Sequence, residues 1–249
     1  MVSGLRGPAV YCLAVATLLA LPMMQAPAAA QAVDCRGIDD CTPLIRSGKY
    51  AGKDLARLFG ARCSAYLYKD QDRAIADCDD AIRLDPRFFA AFDSRGLAYL
   101  EKGDYDHAIA DISEAIKFAE ELGHSDWNVF QLIGRARAYR AKGDYDHAIA
   151  DLEREISLVD TVDQSAVLLG LRGEVYSMKG DNNRAIASYD ASLQAKPNVA
   201  RPLYGRGLAK LKKGDVAGGN ADIAAAKAIK PDVADEVARL KVKFWKETN

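Results

Sequence analysis

Lys-Gly-Asp-Tyr-Asp-His-Ala-Ile-Ala-Asp stands at residues 102–111 and recurs unchanged at 142–151. A longer pattern surrounds each copy: an arginine, a small residue, two more positions and a tyrosine, then a Gly-Asp turn, then Ala-Ile-Ala-Asp and a further apolar stripe. Arg95-Gly96-Leu97-Ala98-Tyr99, Arg135-Ala136-Arg137-Ala138-Tyr139 and Arg172-Gly173-Glu174-Val175-Tyr176 open three copies. Arg62-Cys63-Ser64-Ala65-Tyr66 opens an earlier one, whose turn Lys69-Asp70-Gln71 is shorter and lacks glycine, and Arg206-Gly207-Leu208-Ala209 opens a last one. Pairs such as Ala108-Ile109 and Ala115-Ile116 lie two turns apart on one helical face. Gly103, Gly143, Gly180 and Gly214, each followed by aspartate, supply a left-handed stop for one helix and a cap for the next. One such helical pair cannot bury its own apolar face, whereas a stack of five buries a continuous core.

The alanines opening each second helix, Ala74, Ala108, Ala148 and Ala185, are spaced by 34, 40 and 37 residues, and Gly219 follows 34 further on. Asp85-Pro86, Lys196-Pro197 and Lys230-Pro231 close three of the units. With this period, the stretch from about 56 to 231 resembles the tetratricopeptide repeat family, in particular repeat proteins of the bacterial envelope. The resemblance implies an all-α fold, a right-handed superhelical solenoid of about five helix-turn-helix units. The expected segments are a cap or half-repeat at 33–54, then units at 55–88, 89–128, 129–165, 166–199 and 200–232. A capping helix is expected at 233–249, with the stripe Val233, Val237, Leu240 and Phe244 covering the last unit.

The family lines a concave groove with the first helix of each unit. Carried over residue by residue, that face holds Tyr68, Asp93, Leu97, Glu101, Phe130, Arg137, Arg140, Glu174, Arg201 and Tyr204, a mixture suited to an extended peptide. The alternative for each residue is the solvated side of a solenoid. The basic residues that clamp a C-terminal carboxylate in some relatives have no recognisable counterparts. The repeated Arg62, Arg95, Arg135, Arg172 and Arg206 are expected to be structural, because Asp77, Asp111, Asp151 and Asp222 recur in phase with four of them. Arg172, opposite Ser188, is the one expected to be free.

The 249 residues carry 34 basic and 35 acidic side chains, so charge points to no nucleic-acid or anionic-membrane partner. Neither a nucleophile elbow, a phosphate loop nor HExxH is present, and the three histidines are scattered. The expectation is a non-catalytic binder of a protein or peptide, without cofactor or metal. A self-associating structural protein, joined through its end repeats or final helix, is the alternative.

Arg6, an apolar run from Ala9 to Leu21, and Ala30-Gln31-Ala32 have the layout of a cleavable secretory signal over 1–32, with the mature chain starting at Val33. The run is too short for a membrane span of ~20 residues, so no stable membrane insertion is expected after cleavage. A periplasmic or secreted location follows. Cys12 leaves with the signal, and the remaining Cys35, Cys41, Cys63 and Cys78 are an even set that reads as disulfides. Four cysteines allow three pairings. Cys41-Thr42-Pro43-Leu44-Ile45 echoes Cys78-Asp79-Asp80-Ala81-Ile82, so 35–54 reads as a degenerate half-repeat that a Cys35–Cys41 bridge would tie down, and Cys63 and Cys78 lie on facing helices of one unit, so Cys35–Cys41 and Cys63–Cys78 are the expected pairs.

The 40-residue spacing puts six added residues within 120–130. Gly123 is expected to end a lengthened second helix and Ser125 or Asp126 to cap the next. Trp127 then lies at a helix start, either as a core plug or as a binding hot spot beside Phe130, Arg137 and Arg140.

Overall fold

The computed structural model describes residues 35–123 and 128–245. Twelve α-helices and no strands occur among them. In chain order these are α1 (Ile38–Arg46), α2 (Gly52–Tyr66), α3 (Gln71–Leu84), α4 (Phe89–Lys102), α5 (Tyr105–Glu121), α6 (Asn128–Lys142), α7 (Tyr145–Leu158), α8 (Val162–Lys179), α9 (Asn182–Ala195), α10 (Ala200–Lys212), α11 (Val216–Ile229) and α12 (Val233–Trp245). Each helix packs on the next, and α2–α3, α4–α5, α6–α7, α8–α9 and α10–α11 are the closely packed pairs. First helices of neighbouring pairs also approach one another, α2 with α4, α4 with α6 and α8 with α10. They form the inner, concave layer of an all-α solenoid.

The turns follow from local chemistry. Gly103, Gly143, Gly180 and Gly214 adopt φ of 80°, 79°, 89° and 89°, a conformation that a β-carbon resists. The following Asp104, Asp144, Asp181 and Asp215 each accept a hydrogen bond from the backbone N–H three residues on, which satisfies a donor the helix start would leave bare. Asp70 caps α3 in the same way without a glycine before it. Where the closing prolines are missing, Gly123 (φ 75°) follows α5, and Thr161 caps α8 by accepting from Gln164 N–H.

Close helix approach needs small residues at particular points. A β-carbon on Gly207 would lie 2.9 Å from the carbonyl oxygen of Gly219 and one on Gly96 3.2 Å from that of Ala108. Gly173 differs: its space is taken by the ring of Tyr189, whose hydroxyl end reaches on to Gly205 of α10. The core is an alanine-lined seam through each pair, with Ile112, Leu132, Leu152, Leu168, Val175 and Tyr189 filling the joints.

Both ends are covered. Val233 is fully buried, and Val237 packs with it against Ala200 and Ala226, so α12 closes the last pair. Leu240 and Phe244 of the expected stripe have side chains outside the description. At the other end, Thr42 of α1 accepts a hydrogen bond from Arg62 (3.2 Å), just as Asp79 of α3 accepts one from Arg95 (2.5 Å). Thr42 and Asp79 are equivalent in the echo between Cys41–Ile45 and Cys78–Ile82, so α1 stands where a preceding second helix would.

Cys35 is bonded to Cys41 and Cys63 to Cys78, with Cα–Cα separations of 5.2 and 5.5 Å. The second bond ties α2 to α3 in the pair whose turn lacks glycine. A closed loop of 15 residues limits the unfolded chain enough to stabilise by about 3 kcal/mol, and the six-residue loop less. Mass mapping of the oxidised protein should recover these two links, and reduction should lower the melting temperature. Four free thiols in the native protein would contradict both expectations.

Candidate functional site

Four arginines clamp helix to helix. Arg62 binds Asp77, Arg95 binds Asp111, Arg135 binds Asp151 and Arg206 binds Asp222, each through two guanidinium nitrogens at 2.7–2.9 Å. The fork geometry of arginine matches a carboxylate, and the four aspartates are buried. Each arginine also reaches back to the preceding second helix: Thr42, Asp79, Ser113 and Asp190 in turn. These residues are structural ties, in phase with the repeat. Arg172 is not free, contrary to the sequence expectation: it donates to Ser188 (3.2 Å) and pairs with Glu153 at 3.6 Å. Serine removed the buried charge, and the long guanidinium found the half-exposed carboxylate of the preceding helix instead.

The concave layer has its own ties. Ser64 of α2 and Ser94 of α4 share a hydrogen bond of 2.8 Å. Arg137 of α6 donates to Glu101 of α4 at 3.2 Å. Glu174 of α8 accepts two bonds from Arg201 of α10, at 2.6 and 2.8 Å, and one from Arg140 of α6 at 3.5 Å. Arg140 occupies the repeat position held by Leu67, Leu100 and Leu211 in other first helices. Burial lowers its pKa, Glu174 opposes this, and the nearby Arg201 and Arg137 add to the lowering. Three cations and two carboxylates thus lie together over α4, α6, α8 and α10.

Tyr68 is 72% exposed. Leu97 is half-buried in the joint among Ile112, Ile116 and Leu132, and Tyr204 half-buried against Ala200, Ala226 and Val233. These two, expected on the groove face, serve packing. Phe130's side chain and Trp127 lie outside the described residues. Val167 and Met178 of α8, 61% and 41% exposed, escaped the sequence reading. Their register could have found them: Val167 is equivalent to Arg201, and Met178 to Tyr68 and Glu101.

His107 and His147 are exposed, pair with the capping Asp104 and Asp144, and stack on Tyr99 and Tyr139 at 5.0 Å. Among the described residues no three metal-ligating side chains cluster, and no helix is long and apolar enough to cross a membrane.

The tetratricopeptide repeat family model matches residues 90–122, 132–158 and 166–199, which are the α4–α5, α6–α7 and α8–α9 pairs. The outer pairs α2–α3 and α10–α11 repeat the same arginine–aspartate clamp. The chain is a tetratricopeptide-repeat protein. Among solved structures it is similar to MamA (22% identity, TM-score 0.59, covering 71% of this chain and 96% of that one). It also resembles YrrB, described as a TPR protein with an unusual peptide-binding site (19%, 0.60, 82% and 100%). A third is the C-terminal part of a TPR repeat-containing protein from Cytophaga hutchinsonii (18%, 0.63, 84% and 87%). At these identities the likeness is one of fold. No curated protein matches the chain. Within the tetratricopeptide fold, an arginine–glutamate cluster ties first helices α4, α6, α8 and α10 together, and Val167 and Met178 of α8 are exposed.

Proposed function

We propose that this protein is an exported, non-catalytic scaffold that holds an extended polypeptide in its concave groove. The observation that carries this is the exposure of Val167 and Met178 on α8, and of Tyr68 in the turn after α2, beside the first-helix layer that holds the Arg137–Glu101 and Arg140–Glu174–Arg201 ties. A face with apolar steps between fixed, partly desolvated charges matches a chain that alternates side chains and backbone amides. YrrB's peptide-binding site, on a similar fold, supports the same use. Export rests on the leader-like 1–32 and the mature start at Val33, and an oxidising compartment suits the two disulfides.

The test is capture of extended peptides from an immobilised library by the mature chain. Met178→Asp and Tyr68→Ala should each weaken capture by about tenfold, a hot-spot magnitude, with melting unchanged. Lys117→Ala, on the outer α5, should change neither. Trp127→Ala belongs in the same series, since a hot spot would lose capture and a core plug would lose stability. Equal capture by all variants would reject the groove. A tight dimer by light scattering that protects α12 would instead favour self-association.

A further inference from the structure

Arg140 of α6 stands at a repeat position that Leu67 and Leu100 fill in earlier pairs, both buried, so packing there asks for an apolar side chain. The arginine is nonetheless drawn in, with its side chain only 11% exposed. Its contact with Glu174 is long, 3.5 Å, and both oxygens of that carboxylate already accept from Arg201 at 2.6 and 2.8 Å. The charges that act on Arg140 are this one carboxylate and two further guanidiniums, those of Arg201 and Arg137.

This arrangement differs from the clamps that hold each pair together. There every arginine grips its own buried aspartate through two nitrogens, whereas here Arg140 and Arg201 share Glu174, and Arg137 holds Glu101 by one contact of 3.2 Å. Three guanidiniums against two carboxylates leave the cluster with a positive excess. A desolvated cation with a shared counter-charge adds little to stability, and a leucine would pack better. A local rule broken in this way is the usual mark of a functional position. The cluster is open to a ligand, because the side chains of Arg137 and Arg201 are 38% and 34% exposed. It is also held in place: the Tyr189 ring fills the space beside Gly173 of α8 and Gly205 of α10, and so fixes the gap that the Glu174–Arg201 pair spans.

We infer that Arg140, Arg137 and Arg201 form a subsite for an acidic side chain, aspartate or glutamate, of the polypeptide held in the groove. The inference rests on the groove reading above. Charge complementarity selects the occupant: a partly desolvated positive excess gains most from a carboxylate, while an amide or hydroxyl would leave it uncompensated. Donors remain for it, since a guanidinium carries more N–H groups than the one that Arg137 gives Glu101 and the two that Arg201 gives Glu174. The cluster bridges first helices α4, α6, α8 and α10, so a chain laid across that layer passes it with a side chain rather than ending on it. Because the glutamates and the Tyr189 wedge already orient the guanidiniums, little ordering is left for the binding step.

The probe is a set of immobilised extended peptides, each position carried in turn as glutamate, glutamine, aspartate or asparagine, with the C-terminus free or amidated. The wild-type chain should favour the acid over its amide at one internal position by about tenfold, the range of a charge-assisted contact, and less so as salt is raised. Arg140→Leu installs the residue of other units and leaves Glu174 to Arg201. It should remove most of that preference while peptides are still captured and melting stays at or above that of wild type. Glu174→Gln, which removes the competing carboxylate, should strengthen the preference, and it decides the matter should Arg140→Leu fold poorly. The subsite is overturned, with the groove left standing, by capture without an acidic preference or by a preference confined to a free C-terminus. A preference unchanged in Arg140→Leu, or one that Glu174→Gln fails to strengthen, overturns it too. Failure of wild type to capture any peptide overturns both.

Discussion

Glu155→Met is expected to stabilise the protein, and to do so far more at about pH 8 than at about pH 5. Glu155 of α7 is fully buried, and neither carboxylate oxygen has a hydrogen-bond partner. The equivalent residues in the other second helices are Ala81, Ala115, Ser192 and Ala226, all small and buried. Desolvation alone pushes the Glu155 carboxyl from 4.5 to about 7. An acid with a raised folded pKa binds more protons in the folded than in the unfolded chain across that window. Stability therefore falls as pH rises from about 4.5 to about 7, by roughly 3 kcal/mol in all. Methionine has similar length, carries no charge and adapts to irregular space, so the swap itself should cost under about 1.5 kcal/mol. Urea unfolding of both proteins at the two pH values is the measurement. A gap between them that stays constant with pH would show that Glu155 is not buried as a lone acid.

Arg95→Ala is expected to cost about 3–5 kcal/mol, the penalty of leaving a buried carboxylate without its cation. Arg95 donates twice to Asp111 at 2.7 Å and once to Asp79 at 2.5 Å, and Asp111 is only 7% exposed. The Asp111 hydrogen bonds outweigh desolvation and raise the guanidinium pKa. Arg172→Ala is the internal control. Its partners are the Ser188 hydroxyl and a half-exposed Glu153, so its loss should cost only about 1 kcal/mol. Denaturant melts of the two variants should differ accordingly. Equal costs would refute the structural assignment, as would unchanged melting of Arg95→Ala with lost partner capture. Replacing Arg95 and Asp111 together by apolar residues should recover much of the loss, because no bare charge then remains.

The repeat was legible because its determinants are local. Helix-period alanines, Gly-Asp turns and arginine–aspartate offsets all act within one unit, and the stacking that buries them follows from having five units. The Cys63–Cys78 pair follows similarly from two helices of one unit facing each other. Contacts between units were harder to read. The second partner of each arginine, the Arg137–Glu101 tie and the bidentate Glu174–Arg201 pair join residues 16 to 36 positions apart across a joint. Their offsets change with the insertions, so no fixed spacing reveals them.

By itself, the sequence determined that this chain is a helical repeat, where its helices stop, and which arginines hold the pairs together, since backbone conformation and near-neighbour pairing decide those. Only the tertiary structure decided which polar residues lack partners. Gln131 and Glu155 look in sequence like ordinary surface positions of amphipathic helices. They become exceptional because neighbouring helices remove their water, at places where other units carry small or apolar residues. Desolvation is a property of what packs against a residue, and that is set by the joint between units rather than by the residue's own segment.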